Sequence, residues 1–261
     1  MDKTSIIGIL LGIIAIGVGM VLKGVGLMAL VNPAALIIIF VGTAASVIIA
    51  FPASTIKKVP SYFKVIFKSD KEVNMLELID TFTDLSDQAR KEGLLSLETQ
   101  IQDTNDEFLS SGLQLAVDGQ SPEFIREVML EKVDAMESRH EEGAAVFAQA
   151  GTYAPTLGVL GAVIGLIAAL GNMQDMDLLG AAISAAFVAT LLGIFTGYVL
   201  WHPFANKLRQ KSKKEIQTKE IIIEGILSIV NGDSPAEVRE KLSAYLPSKE
   251  VARMKKVMQD A

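Results

Sequence analysis

The chain has 261 residues, of which 50% are hydrophobic and 21% charged, with a net charge of −6, two histidines and no cysteine. It lacks a Walker loop, an HExxH motif, a supportable Ser-His-Asp set and any cysteine nucleophile, and its two histidines, His140 and His202, fall in different segments. The composition therefore predicts neither an enzyme nor a cofactor or metal centre.

Apolar residues gather in four runs, residues 4–22, 33–51, 153–171 and 181–203. Each is close to the roughly 20 residues that carry a helix across a bilayer. No closed-barrel alternation is visible, so the sequence predicts an all-α membrane protein with four transmembrane helices. The first run is longer than a signal-peptide core and has no small-x-small cleavage site before Lys23, which predicts a retained helix. Lys57, Lys58, Lys64, Lys68 and Lys71 follow the second run, and Lys207, Arg209, Lys211, Lys213 and Lys214 follow the fourth. The other two connections are short. The positive-inside rule then predicts a multi-pass membrane protein with both termini and both large segments in the cytoplasm.

Four segments follow. Residues 1–52 hold the first two membrane helices with a short periplasmic loop, and 53–149 form a helical cytoplasmic domain. Residues 150–203 hold the second pair of membrane helices, and 204–261 form a cytoplasmic tail. Residues 53–149 carry 10 Lys/Arg against 19 Asp/Glu, a net of −9, whereas 204–261 carry 12 against 8, a net of +4. An acidic insert and a basic tail are expected to pack together. The basic residues hug the membrane without an aromatic stacking surface, so nucleic acid is excluded as a partner.

Within the insert, Leu76, Ile79, Phe82 and Leu85 recur at helical spacing, and 72–117 read as short amphipathic helices. Ser121-Pro122-Glu123 is a helix start, with serine at the N-cap and proline at N1. From Ile125 the periodicity runs into the third membrane segment, predicting a stiff helical extension of it. Asn231-Gly232 ends a later helix, Ser234-Pro235-Ala236-Glu237 opens another with a capping box, and Leu246-Pro247-Ser248 marks a further break.

The third and fourth runs contain no Asp, Glu, Lys or Arg. Proton transfer at depth normally needs an ionisable side chain, so a carboxylate for any ion path must come from another chain. Both runs are rich in Gly and Ala, more than one hairpin requires, which predicts a wall packed against a second protein or further copies of this chain. Pro155 frees a backbone carbonyl beside the Thr156 hydroxyl, and Thr190 adds a second candidate oxygen. His202, between Trp201 and Pro203, reads as an interfacial residue.

The stretch from Gly151 through Pro155 and Ala162 to Leu166 resembles the third membrane helix of the MotA stator family, and the stretch from Phe187 through Thr190 to Pro203 resembles its fourth. Gln88-Ala89-Arg90-Lys91-Glu92-Gly93-Leu94-Leu95-Ser96-Leu97-Glu98 is similar to that family's cytoplasmic signature. The Gly/Ala pattern alone is shared with the wider MotA/TolQ/ExbB proton channel family. The resemblance implies a flagellar motor stator subunit, with five copies around two MotB chains. MotB would supply the ion-carrying Asp and the peptidoglycan anchor. The resemblance also implies rotor contact through Arg90 and Glu98 with the switch protein FliG. It places Pro155, Thr156, Ala162, Thr190 and Pro203 along the ion path. Sodium-driven relatives carry Thr where this chain has Ala162, and losing that oxygen ligand favours a transported proton over sodium. The alternative reading is an ExbB/TolQ-type energiser driving an outer-membrane transport partner, and a third is a structural membrane scaffold without ion flux.

Overall fold

The computed structural model describes residues 2–69, 74–104, 106–171, 174–246 and 251, and the described residues form helices and turns without a strand. In chain order the helices are α1 (Lys3–Leu22), α2 (Pro33–Ala50), α3 (Ala53–Ile56), α4 (Val59–Phe67), α5 (Met75–Glu92), α6 (Glu98–Asp103), α7 (Glu107–Val117), α8 (Pro122–Leu170), α9 (Met176–Val230) and α10 (Pro235–Ser243). Four of them, α1, α2, α8 and α9, are long and apolar enough to cross a membrane. The expected break at Pro247-Ser248 lies outside the described residues. Two helices carry a π turn: Ile37–Val41 within α2 and Thr196–Trp201 within α9.

The chain divides into two compact units. Residues Met1–Asp70 and Arg139–Lys211 form the first, and Lys71–Ser138 and Ser212–Ala261 the second. Residues 53–149 are thus shared between the two, and α8 and α9 contribute residues to both.

Unit 1 contains the apolar spans. On α1, Ile7, Leu10, Leu11, Ile13 and Ile14 are exposed, as lipid contact requires of a helix apolar all round. Asn32 caps α2 by accepting from the Ala35 N–H (3.1 Å), and its amide donates to the Ala185 carbonyl of α9 (3.4 Å). At the start of α1, the Asp2 N–H donates to the Phe67 carbonyl (2.8 Å), while the Asp2 carboxylate pairs with Lys207 at 2.5 Å. That ammonium holds Asp2 well below the usual carboxylate range. Helix α4 belongs to this unit because Phe63 and Phe67 pack edge-on against Phe147 and Phe204, with centroids 5.0–6.1 Å apart.

Unit 2 is a helical bundle around Ile79, Phe82 and Leu85 of α5. Facing them are Leu109 and Leu113 of α7, Ile125 and Met129 of α8, Ile222 and Ile226 of α9, and Val238 and Leu242 of α10. The i, i+3 spacing on α5 places its apolar side chains on one face. Gly225 admits the Phe82 ring, which would lie 2.5–2.6 Å from a Cβ there. The caps are those the sequence predicts. Ser121 accepts from Phe124, and Ser234 and Glu237 exchange both bonds of a capping box.

Asp106 links two tasks. It caps α7 through the N–H groups of Phe108 and Leu109 (2.8 and 3.2 Å), and it pairs with Lys219 of α9 at 3.0 Å. Partial burial opposes its charge, but the ammonium and these amides overcome that and leave its pKa below the ordinary value. Asp233, paired with Lys241, is lowered mainly by that bond. A lowered carboxylate contributes stability that is present above its unfolded pKa and lost as pH falls through its folded value. Wild-type stability should therefore hold near neutral pH and decline below about pH 4. Asp106→Ala should destabilise the protein by about 1–2 kcal/mol, measured as a lower melting temperature that no longer responds to pH as steeply in the acid range.

Candidate functional site

Helices α8 and α9 meet through glycine. A Cβ on Gly158 would lie 2.8 Å from the Ala189 carbonyl and the Gly193 Cα, and one on Gly193 would lie 2.8 Å from the Ala154 carbonyl and the Gly158 Cα. The two backbones touch there, which only residues without side chains permit. The contact continues with Gly161 against Ala189 (3.6 Å) and Gly165 against Ala186 (3.8 Å). The small residues that the sequence reading turns towards a second protein are largely used within this hairpin. Large apolar residues also remain outward: Val159, Val163 and Ile167 on α8, and Phe187, Ile194 and Tyr198 on α9 are exposed.

Pro155 sits inside α8, half-buried, with no N–H to donate to the Gly151 carbonyl. Its ring lies against Gly197, where a Cβ would come within 2.8 Å of Cγ and of the Gly151 carbonyl oxygen. Gly197 belongs to the π turn of α9, so the proline and the irregular turn face each other. Ala162 and Thr190, both half-buried, each follow a residue of the Gly161–Ala189 contact, and so flank one level of the hairpin. The Thr190 hydroxyl donates to the Ala186 carbonyl (3.3 Å) and the Thr156 hydroxyl to the Thr152 carbonyl (3.2 Å). Each oxygen keeps its capacity to accept. Thr156 and Pro203 are exposed, and Pro203 is the second residue after the π turn.

Three further residues stand at this level, among them His202, which the sequence places at the membrane interface. His202 lies over Gly151, where a Cβ would come within 2.8 Å of its ring, and its ring centroid is 5.3 Å from that of Tyr198. Thr196 is buried and bonds the Leu192 and Gly193 carbonyls (2.9 and 3.1 Å). Gly197 receives Pro155. The i, i+4 spacing of Gly193 and Gly197 puts them on one face of α9, and only the folded chain shows that Gly158 and Pro155 cover it.

Arg90 and Glu98 lie in unit 2. Arg90 is in the last turn of α5 and Glu98 opens α6; both are exposed, and neither makes an ion pair among the described residues. The neighbouring acid Asp87 is taken by Lys91 at 2.5 Å. Between Arg90 and Glu98 the chain turns at Gly93, whose φ of +84° favours glycine. The turn is fixed by the Gln88 amide donating to the Ser96 carbonyl (2.9 Å) and by buried Leu97. The two charges stand on a short, well-anchored corner.

Residues 6–93 match the family described as Motility protein A N-terminal, and residues 100–221 match the MotA/TolQ/ExbB proton channel family. The chain is 62% identical to Motility protein A of Bacillus subtilis, over 96% of this chain and 93% of that protein. It belongs to the MotA/TolQ/ExbB proton channel family. Two solved structures are similar to this family member. The flagellar MotAB stator complex from Bacillus subtilis matches with a TM-score of 0.92 at 61% identity, covering 97% of this chain and 99% of that one. The C. jejuni MotAB structure matches with a TM-score of 0.90 at 31% identity, covering 95% and 97%.

In this family member the Gly158–Gly193 contact leaves no room for a methyl group. Gly193→Ala should force the helices apart and cost about 1–3 kcal/mol, seen as reduced accumulation of the protein in membranes. Gly180→Ala, with no atom within 4 Å of the added carbon, should accumulate normally in the same blot.

Proposed function

We propose that this chain is a stator subunit of a bacterial flagellar motor, forming with MotB an ion channel that couples ion flow to torque on the rotor. One observation carries this reading. None of the four spans, residues 4–22, 33–51, 153–171 and 181–203, contains an Asp, Glu, Lys or Arg. A proton-channel family member without a titrating group at depth is half of a path, and MotB supplies the acid that completes it. The similarity to two MotAB structures and to Motility protein A supports the same division.

In this assignment five copies surround two MotB chains in the inner membrane, with both termini in the cytoplasm, as the lysine-rich flanks favour. Pro155, Thr156, Ala162, Thr190 and Pro203 belong to the wall of the path. Protonation of the MotB carboxylate removes a charge from a low-dielectric site and so changes what that wall packs against. Ala162 offers no oxygen to a hard cation, which favours a proton over sodium. Arg90 and Glu98 meet charges of FliG, and the exposed apolar faces of α1 and α2 meet lipid. The chain acts by moving, not by catalysis.

Three measurements test the assignment. Arg90→Glu should leave membrane levels unchanged and reduce swimming severalfold, and wild-type swimming by that variant would sink the rotor contact. Swimming should stop on adding a protonophore and persist without sodium; the opposite pattern would reverse the ion assignment. Copurification of a TonB-like chain instead of MotB would replace the motor with an ExbB/TolQ-type energiser.

A further inference from the structure

Many threonines in the helices share one habit, while Thr4, Thr55 and Thr99 give their hydroxyls to Asp2, Glu142 and Ser96 instead. Thr81, Thr83, Thr152, Thr156, Thr190 and Thr196 each donate their hydroxyl to the carbonyl four residues earlier, at 2.7–3.3 Å. Thr43 does not. It is 97% buried (3% exposed) in α2, and its Oγ1 has no hydrogen-bond partner among the described residues. The residue four before it is Ile39, which lies in the π turn Ile37–Val41. A π turn holds one residue more than a regular turn, so the carbonyls around it leave their α-helical places. The π turn of α9 shows the same sign. Its last residue, Trp201, has a buried Nε1 with no acceptor among the described residues, and its ring packs among Phe63, Phe147 and Phe204.

Both orphaned atoms are sealed inside a single copy of the chain. Neither lipid nor a neighbouring chain reaches them without a rearrangement of that copy. Buried polar atoms without partners are rare in native structures and call for an explanation. Both π turns also pack on the same stretch of α8. Ile38 lies against Gly161 and Gly42 against Leu157 on one flank, and Gly197 lies against Pro155 on the other.

We propose that the two π turns are the joints of the stroke, and that Thr43 is a positioning residue that sets the register of α2. In the register described here its hydroxyl is unpaired. When the π turn at Ile37–Val41 resolves into regular α-helix, the Ile39 carbonyl takes the i−4 place and accepts the hydroxyl. That change turns the rest of the helix by about 100° and shifts it by ~1.5 Å. Two registers, each favoured by a different set of contacts beside Pro155, give the membrane unit the bistability that a stepping device needs. The inference rests on the stator reading above.

The test uses a strain lacking this chain, complemented with full-length variants beside the native partner. Thr43→Val keeps the shape and removes the hydroxyl. It should lower swimming speed at least twofold at unchanged membrane level, and raise the melting temperature of the purified complex by about 2–4 °C. Thr43→Ser, which restores the donor, should swim close to wild type. Wild-type swimming by Thr43→Val overturns the proposal. So does failure of that variant to accumulate, because the valine removes only an unpaired group. Thr43→Ser as slow as Thr43→Val overturns it as well. If the wild-type chain itself does not restore swimming, the stator reading fails instead, and the inference with it.

Discussion

The membrane unit depends on one close approach, the contact of the Gly158 and Gly193 backbones. Because no side chain separates α8 from α9 at that point, their remaining contacts are fixed within narrow limits. Gly161 must meet Ala189, Gly165 must meet Ala186, and the Pro155 ring must find a residue without a Cβ, which is Gly197. Dispersion between closely packed backbones replaces the hydrophobic drive that lipid removes. The same approach turns Ala162 and Thr190 to flank one level of the hairpin, and leaves large apolar side chains outward for whatever chain or lipid covers them.

Unit 2 works on other terms. Its core of Ile79, Phe82, Met129, Ile222 and Ile226 is an ordinary water-driven one, and its ion pairs, Lys219–Asp106 and Arg239–Asp80, sit at the edges. Arg90 and Glu98 stand outside those pairs, on a corner held by Gly93, Gln88 and Leu97. An unpaired charge on a mobile loop would yield when pushed. On the stator reading proposed above, a charge on an anchored corner would pass a push to the helix behind it.

Much of this was legible in the sequence. The first two apolar runs, residues 4–22 and 33–51, end within one residue of α1 and α2, since twenty apolar residues in lipid have few alternatives to a helix. Ser121-Pro122 and the Ser234–Glu237 box marked helix starts because capping chemistry is local. The π turns were not legible. Nothing in Ile37–Val41 or Thr196–Trp201 differs in composition from a regular turn, and their irregularity shows only in the carbonyl ladder of the folded chain. The use of Gly158 and Gly193 within the hairpin was equally hidden, because spacing gives the face of a helix but not its partner. Helix α4 lies within residues 53–149, which the sequence reads as one acidic insert, yet Phe63 draws it to Phe147 and Phe204, residues far along the chain.

Two of the bonds that fasten the first pair of membrane helices reach far forward. The Asn32 amide waits for a carbonyl 153 residues later, and Thr4 accepts from Lys207, 203 residues later. At ordinary rates of synthesis those partners leave the ribosome roughly 10 to 40 s after Thr4 does. Through that interval α1 and α2 lie in the bilayer with the surfaces that will receive α8 and α9 still bare. A hairpin apolar on every side is suited to such a delay, since lipid can stand in for the missing helices until the second pair is threaded beside it. Closure of the unit is thus a late event in the life of the nascent chain, made when its last membrane helix arrives.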